Sequence, residues 1–271
     1  DDDMDFTILG LSILEDYTAD FTSLDVSSAW LNRLPYNLVY TAERVAYRNL
    51  INDLLPPSSA LTDNPFREWI GAQIRADMWG YVTPGWPEKA AEMAFRDASI
   101  SHTKNGVYGA MFVAALLAAS FATSNIRAVI DIALSEIPAN CRLAQAVKDT
   151  MAWAEANDDW QDTWALVNEE FGHYPDVHTI NNAALIVMGL VHGKGDFEQT
   201  IVTTVLGGWD ADCTGATAGS VIGLILGARA LPEKWVGVFN DQIHSAVRGY
   251  EHSRLSDLAR RTCRFADTNR P

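Results

Sequence analysis

The chain has little that would tie it to a nucleic acid, a membrane or a disulfide scaffold. Only 20 Lys and Arg stand against 35 Asp and Glu in 271 residues, a formal net charge of −15. Phosphate binding needs clustered cations, so this balance argues against a nucleic-acid partner. The 3 cysteines, Cys141, Cys213 and Cys263, are widely spaced. They form neither a metal-ligand pattern nor a disulfide framework, and a reducing cytoplasmic setting is expected. No targeting segment is visible at the start. The two long uncharged runs, Gly106 to Asn125 and Cys213 to Ala228, are at most barely long enough to span a bilayer and are rich in small residues, so they read as buried central helices, with no membrane partner. Convincing period-two alternation is missing, no Asn-Gly pair joins two strand-like runs, and no fixed-period repeat suggests a solenoid.

What is present is helical periodicity. Helices are predicted over Asp5–Tyr17, Leu24–Leu34, Tyr40–Leu55, Asn64–Asp77, Pro87–Ile100, Gly106–Ala122, Ser124–Ile137, Cys141–Ala156, Asp159–Phe171, Thr179–His192, Phe197–Leu206, Thr214–Ala230, Pro232–Asn240 and Ser253–Arg264. Pro87 suits the first helical position, with Glu88 in the first turn. The length can bury a substantial core. The expected architecture is all-α, a compact orthogonal bundle of about a dozen helices forming one domain over residues 1–271.

Two acidic clusters stand out. Gly207-Gly208-Trp209-Asp210-Ala211-Asp212-Cys213-Thr214-Gly215 sets two carboxylates two residues apart on a turn that opens a small-residue helix. Asp1-Asp2-Asp3-Met4 opens the chain and leads into the apolar series Phe6, Ile8, Leu9, Leu11, Ile13, Leu14. Asp is a favoured N-cap, and either cluster alone is explained by capping. Hard cations such as Mg2+, however, are held by clustered carboxylate oxygens, and a helix N-terminus favours ionised carboxylates. Two acidic helix starts at opposite ends of the chain suggest a shared metal centre closed by the fold. Gly215, Gly219, Gly223 and Gly227 recur every four residues. Each interior helical Gly costs about 1 kcal/mol relative to Ala, so this stripe predicts close approach of another helix backbone.

These residues resemble the ADP-ribosylglycohydrolases, of the dinitrogenase reductase-activating glycohydrolase type. Residues 207–219 are similar to the family's late Gly-Gly-Asp-Thr-Asp-Thr signature, and Asp1 to Asp5 to its early acidic motif. Ala98-Ser99-Ile100-Ser101-His102 with Gly106 to Ala110 resembles its central Ser/Thr-His segment, and His178 to Gly195 also fits. The resemblance spans nearly the whole chain. It implies an all-helical fold and a hydrolase that cleaves the ribosyl bond of an ADP-ribosylated protein or a small ADP-ribose derivative. It also implies two Mg2+ (or Mn2+) ions held by Asp1, Asp2, Asp3, Asp210, Asp212 and the position of Cys213. The family has Thr where this chain has Met4, Ala211 and Cys213, and either Cys213 or Thr214 would have to face the metals. A thiol is a poor Mg2+ ligand. The family's upstream helix, with Gly-Asp-Ala-Leu-Gly and an acidic residue near the substrate, has no match here, so that acid is expected to lie ahead of Asp1.

Other candidates lie in loops. Trp79-Gly80-Tyr81-Val82-Thr83-Pro84-Gly85-Trp86 could stack on a base or sugar, or wedge helices together. A loop histidine such as His102 is ordinarily a surface or capping residue; the resemblance places it beside the active site. His173 and His178 are too few for zinc, and their loop reads as substrate-lining. His192, His244 and His252 are expected at helix ends and solvated faces. With the aromatic loop included, the expected substrate-binding set is Trp79, Gly80, Tyr81, His102, Asn105, Gly106, Tyr108, His178 and Trp209. Loss of three hydroxyls leaves open an inactive ADP-ribose-binding or structural relative, and a hydrolase of another N-ribosyl compound is a separate alternative.

Overall fold

The structure, a computed structural model, describes residues 2–269. Among them the chain forms α1 (Asp2–Tyr17), α2 (Ser23–Arg33), α3 (Thr41–Ile51), α4 (Ser58–Leu61), α5 (Asp77–Tyr81), α6 (Pro87–Ala98), α7 (Asn105–Ser120) and α8 (Ile126–Ser135). It continues with α9 (Arg142–Ala156), α10 (Trp160–Phe171), α11 (Thr179–His192), α12 (Phe197–Leu206), α13 (Ala211–Leu226), α14 (Glu233–Val236), the strands β1 (Gln242–His244) and β2 (His252–Arg254), and α15 (Leu255–Thr268). The all-α expectation holds. No helix among the described residues is long and apolar enough to cross a membrane.

Three helices are apolar on nearly every side and are buried accordingly: α1, α7 and α11. A helix without a polar face must lie inside. Around α7 pack α5, α6 and α8; around α11 pack α9, α10 and α12; α13 lies across α12, α11 and α7. α1 meets α2, α5 and α15. Side chains close many of the helix starts. Thr22 and Asp25 form a reciprocal capping box, and Asp159 and Asp196 accept backbone N–H groups of α10 and α12. Each such cap is worth about 1 kcal/mol.

A buried cation ties the first half together. The Arg75 guanidinium bonds Glu43 at 2.8 Å and Asp97 at 2.9 Å, donates to Ser101 Oγ at 2.9 Å, and lies over the rings of Phe6 and Trp30. Arg75 sits in a stretch that departs from the predicted helix over Asn64–Asp77. That stretch instead makes turns and one 3-10 turn at Ile70–Ala72. Its backbone is bonded outward: Ile70 N–H to Val177 O at 2.9 Å, Thr103 N–H to Arg67 O at 2.9 Å, and Thr179 N–H to Glu68 O at 3.2 Å. Long-range bonds have replaced the helix's own.

Three further expectations are corrected. The aromatic loop begins as a helix: Trp79 and Gly80 lie in α5, where Trp79 stacks on Phe21 at 4.7 Å inside the core. Pro232–Asn240 yields only the single turn α14 and a 3-10 turn, and a β-hairpin follows it. Its strands are three residues long and turn only Ile243 inward, too short for any period-two signal. The glycine stripe of α13 faces α12, but side chains fill it rather than backbone. A methyl group on Gly215 would come within 2.8 Å of Val205, whereas one on Gly219 would sit 3.5 Å from Ile201, an ordinary contact.

Candidate functional site

The first turns of α1 and α13 meet. One ligand atom each from Asp3, Asp212 and Cys213 lies within 4.8 Å of the other two, although 210 residues separate Asp3 from Cys213. Asp210 is the N-cap of α13, and Asp2 lies beside Asp3 in α1. Helix N-termini present free N–H groups and a positive dipole end, which offsets part of the crowding of carboxylates. Asp1 lies outside the described residues.

The turn into α13 is bent by two consecutive left-handed residues, Gly208 (φ 84°) and Trp209 (φ 51°). For Trp209 this conformation costs on the order of 1 kcal/mol, and its surroundings hold it there. Asn182 fixes the turn from α11: its Oδ1 accepts the Asp210 N–H at 3.1 Å, while its Nδ2 donates to the carbonyls of Asp176 and His178 at 2.8 Å. The half-buried Trp209 packs against the core, and Trp164 Nε1 donates to Gly207 O at 2.8 Å.

Crowding shows in the acidities. Burial, and then the charges of Asp2, Asp212, Asp77 and Asp210, push Asp3 up to about 7. Burial also raises Asp2, with Asp212 adding to it. Asp210 is raised to about 6 by burial and by its hydrogen bond with Asp212, while that same bond lowers Asp212. One proton shared by the late pair accounts for both directions. Carboxylates packed this tightly are the environment a divalent cation stabilises, because its charge reverses their mutual repulsion.

Cys213 rather than Thr214 faces the cluster. Its thiol lies 3.7 Å from Asp3 Oδ2, and burial followed by the nearby carboxylates pushes it far up, so it stays protonated. Thr214 Oγ1 turns back to Asp210 O at 3.0 Å. Hard carboxylate oxygens suit Mg2+ or Mn2+; a neutral thiol does not.

Sequence reasoning missed Asp77. It is buried at the start of α5, accepts from Tyr81 Oη at 2.9 Å and from Ser220 Oγ, and burial raises it to about 6. No motif marks it, since it falls at the end of a stretch that reads as one continuous helix. Asp3, Asp77 and Tyr81 form the polar end of a cavity of about 600 Å3 whose remaining wall is mostly apolar, with Ile8, Leu11, Met78, Leu224, Ile243 and Leu258.

The other predicted residues fall into three places. Tyr81 alone of the aromatic trio lines that cavity; a methyl on Gly80 would clash with Leu117 and the Ala114 carbonyl. His102 is 1% exposed and bonds Ser101 Oγ at 2.9 Å within the Arg75 network, where burial and then Arg75 hold it well below the usual imidazole range. Gly106 and Tyr108 belong to α7, with Gly106 pressed against Arg67 O. Asn105 and His178 share a third place: Asn105 donates to Glu68 at 2.7 Å, Arg142 bonds the same carboxylate at 2.9 Å, and Tyr174 stacks on His178 at 4.5 Å. His192 is not solvated as expected: it is buried and bonded to Thr163 at 2.9 Å.

Comparison with known proteins gives the family and the fold. The family model for ADP-ribosylglycohydrolase matches residues 1–269. The chain belongs to the ADP-ribosylglycohydrolase family. A solved structure, an ADP-ribosylglycohydrolase-related protein complex, superposes with a TM-score of 0.68 at 16% identity, covering 99% of this chain and 81% of that one. At that identity the likeness carries the fold alone. No curated protein matches the chain.

Proposed function

We propose that this ADP-ribosylglycohydrolase-family chain is a metal-dependent hydrolase that cleaves the ribosyl bond of an ADP-ribosylated protein side chain or a small ADP-ribose derivative. The observation that carries the reading is the convergence of Asp3 and Asp212 from distant parts of the chain onto one crowded, partly buried point. Asp2, Asp3, Asp210 and Asp212 would hold two Mg2+ or Mn2+ ions. When bound, such ions polarise ribose hydroxyls and make water a better nucleophile.

The residues then have separable tasks. Cleavage at the anomeric carbon passes through an oxocarbenium-like state. Asp77, held by Tyr81 and Ser220, keeps a proton at mildly acidic pH beside Asp3. Asn182 and the Gly208-Trp209 turn hold α13 in register. The Tyr174–His178 ring stack with Arg142 offers an aromatic face and a cation, which suit a base and a diphosphate.

The test is release of ADP-ribose, followed by mass spectrometry, from arginine-linked, serine-linked and O-acetylated ADP-ribose with Mg2+ or Mn2+. Hydrolysis of at least one conjugate is expected, with loss in Asp212→Asn. The thiol beside Asp3 favours one second reading, an ADP-ribose-binding relative without turnover. Tight ADP-ribose binding with no hydrolysis of any conjugate would establish that reading and overturn the first.

A further inference from the structure

We propose that His244 and His252 form a transition-metal site of their own, on the β-hairpin, that takes copper(II) or nickel(II) through their two Nδ1 atoms. The two residues face each other across β1 and β2. The flanking contacts, Ser245 N–H to Glu251 O and Leu255 N–H to Asp241 O, both 3.2 Å, identify the neighbouring positions as the hydrogen-bonded pairs. His244 and His252 are therefore a non-hydrogen-bonded pair, the kind whose side chains approach most closely on one face. That face is the outer one: both rings are exposed, while Ile243, next along the ladder and opposite Ser253, points inward.

The rings are already converged. Nδ1 lies 2.7 Å from Nδ1, with the ring planes at 88°. At this distance there is room for only one hydrogen between the nitrogens. A divalent cation held by both would displace it and stand to one side of the line joining them. With metal–nitrogen bonds of about 2.0 Å, cis ligands at a right angle stand about 2.8 Å apart and tetrahedral ligands about 3.3 Å. The observed spacing lies nearer the right-angled arrangement. Copper(II) and nickel(II) favour tetragonal coordination by nitrogen and stand high in the divalent affinity order. Water would complete the shell.

Charges around the pair are balanced: His252 lines a recess with Arg254, Arg260 and Arg261, whose guanidinium groups are paired with Asp241, Asp257 and Glu15. His244 lines a recess of about 280 Å3 with Asp2, Asp5, Tyr40, Ser245 and Ala246, and no Lys or Arg lines it. Asp5 holds this end of the hairpin by accepting the Ala246 N–H at 2.9 Å. Arg254 shares the outer face, but Asp241 holds its guanidinium at 2.9 Å. The site differs in kind from the carboxylate cluster, which takes hard ions through oxygen.

Calorimetric titration of the untagged full chain with Ni2+, in saturating Mg2+, is the test, together with the electron paramagnetic resonance spectrum of one equivalent of Cu2+. One Ni2+ site is expected, along with hyperfine structure from two imidazole nitrogens. His244→Asn and His252→Asn should each weaken Ni2+ at least tenfold and remove one nitrogen. Asp212→Asn should leave both readouts unchanged and serves as the control for the carboxylate cluster. No Ni2+ site in the parent protein, an unchanged spectrum in either histidine variant, or loss of the signal in Asp212→Asn would overturn the proposal.

Discussion

Replacing Asp3 by Asn is expected to stabilise the metal-free protein above neutral pH while abolishing its response to divalent cations. Asp3 is pushed from an ordinary 3.8 up to about 7, chiefly by burial and then by its acidic neighbours. A carboxyl raised in the folded state penalises folding once pH passes its unfolded value, and the penalty is complete above the folded one. The window therefore opens near pH 4 and closes near pH 7. A displacement of roughly 3 units corresponds to about 4 kcal/mol at 1.36 kcal/mol per unit. A buried amide keeps part of the desolvation cost, so Asn should recover about 1–3 kcal/mol. At about 2–4 °C per kcal/mol for a domain approaching this size, Tm in EDTA at pH 8 should rise by roughly 2–12 °C. The gap should shrink as pH falls towards 4. In Mn2+ the order should invert, because binding to the native state stabilises it by an amount that grows with the logarithm of ligand affinity. Differential scanning calorimetry at pH 5 and pH 8, with EDTA or Mn2+, reads all four conditions. A variant less stable than the parent in EDTA at pH 8, or one that gains as much from Mn2+, would refute the reasoning.

Three other changes test separate parts of the structure. Cys213→Ser puts an oxygen beside Asp3 and should tighten Mg2+ binding about tenfold, roughly 1.4 kcal/mol, as read by calorimetric titration; weaker binding would mean the thiol position does not face the ions. Arg75→Met leaves Glu43 and Asp97 buried without their cation and should cost about 3–5 kcal/mol in urea unfolding; a loss under 1 kcal/mol would show that the network is not what holds residues 64–76. Asn182→Ala orphans the Asp210 N–H and removes the side-chain donor to the Asp176 carbonyl, so about 1–3 kcal/mol of stability and about tenfold in Mn2+ affinity should be lost together; loss of stability with affinity intact would separate the α11 turn from the cluster.

The helices most legible in the sequence were those whose pattern was purely local. Thr179–His192 and Phe197–Leu206 match the observed α11 and α12 end to end, because an unbroken apolar series and a capping Asp196 suffice to define them. Residues 64–77 were misread because their backbone partners, Val177, Thr103 and Thr179, lie far along the chain and leave no local mark. The hairpin escaped for a similar reason: three-residue strands are held by the fold around them. At the candidate site, Asp3, Asp210, Asp212 and Cys213 are legible because two acidic helix starts at opposite ends of the chain together resemble the family's motifs, although either alone is explained by capping. Asp77 is not, because its significance comes from burial next to Asp3, which only tertiary packing creates. His102 fits a motif on paper, yet its ring is enclosed by the Arg75 network.

The three thiols differ sharply in chemical availability. Cys213 is buried and resists ionisation, Cys141 is half-covered as the cap of α9 with its sulfur accepting the Ala144 N–H, and Cys263 is exposed on α15 where that helix walls the cavity. Because thiolate character and access set alkylation rates, a maleimide dye should settle first on Cys263. That places a fluorophore at the rim of the hollow next to the acidic cluster without any engineered cysteine, so occupancy of that hollow could be followed optically in the otherwise unaltered chain.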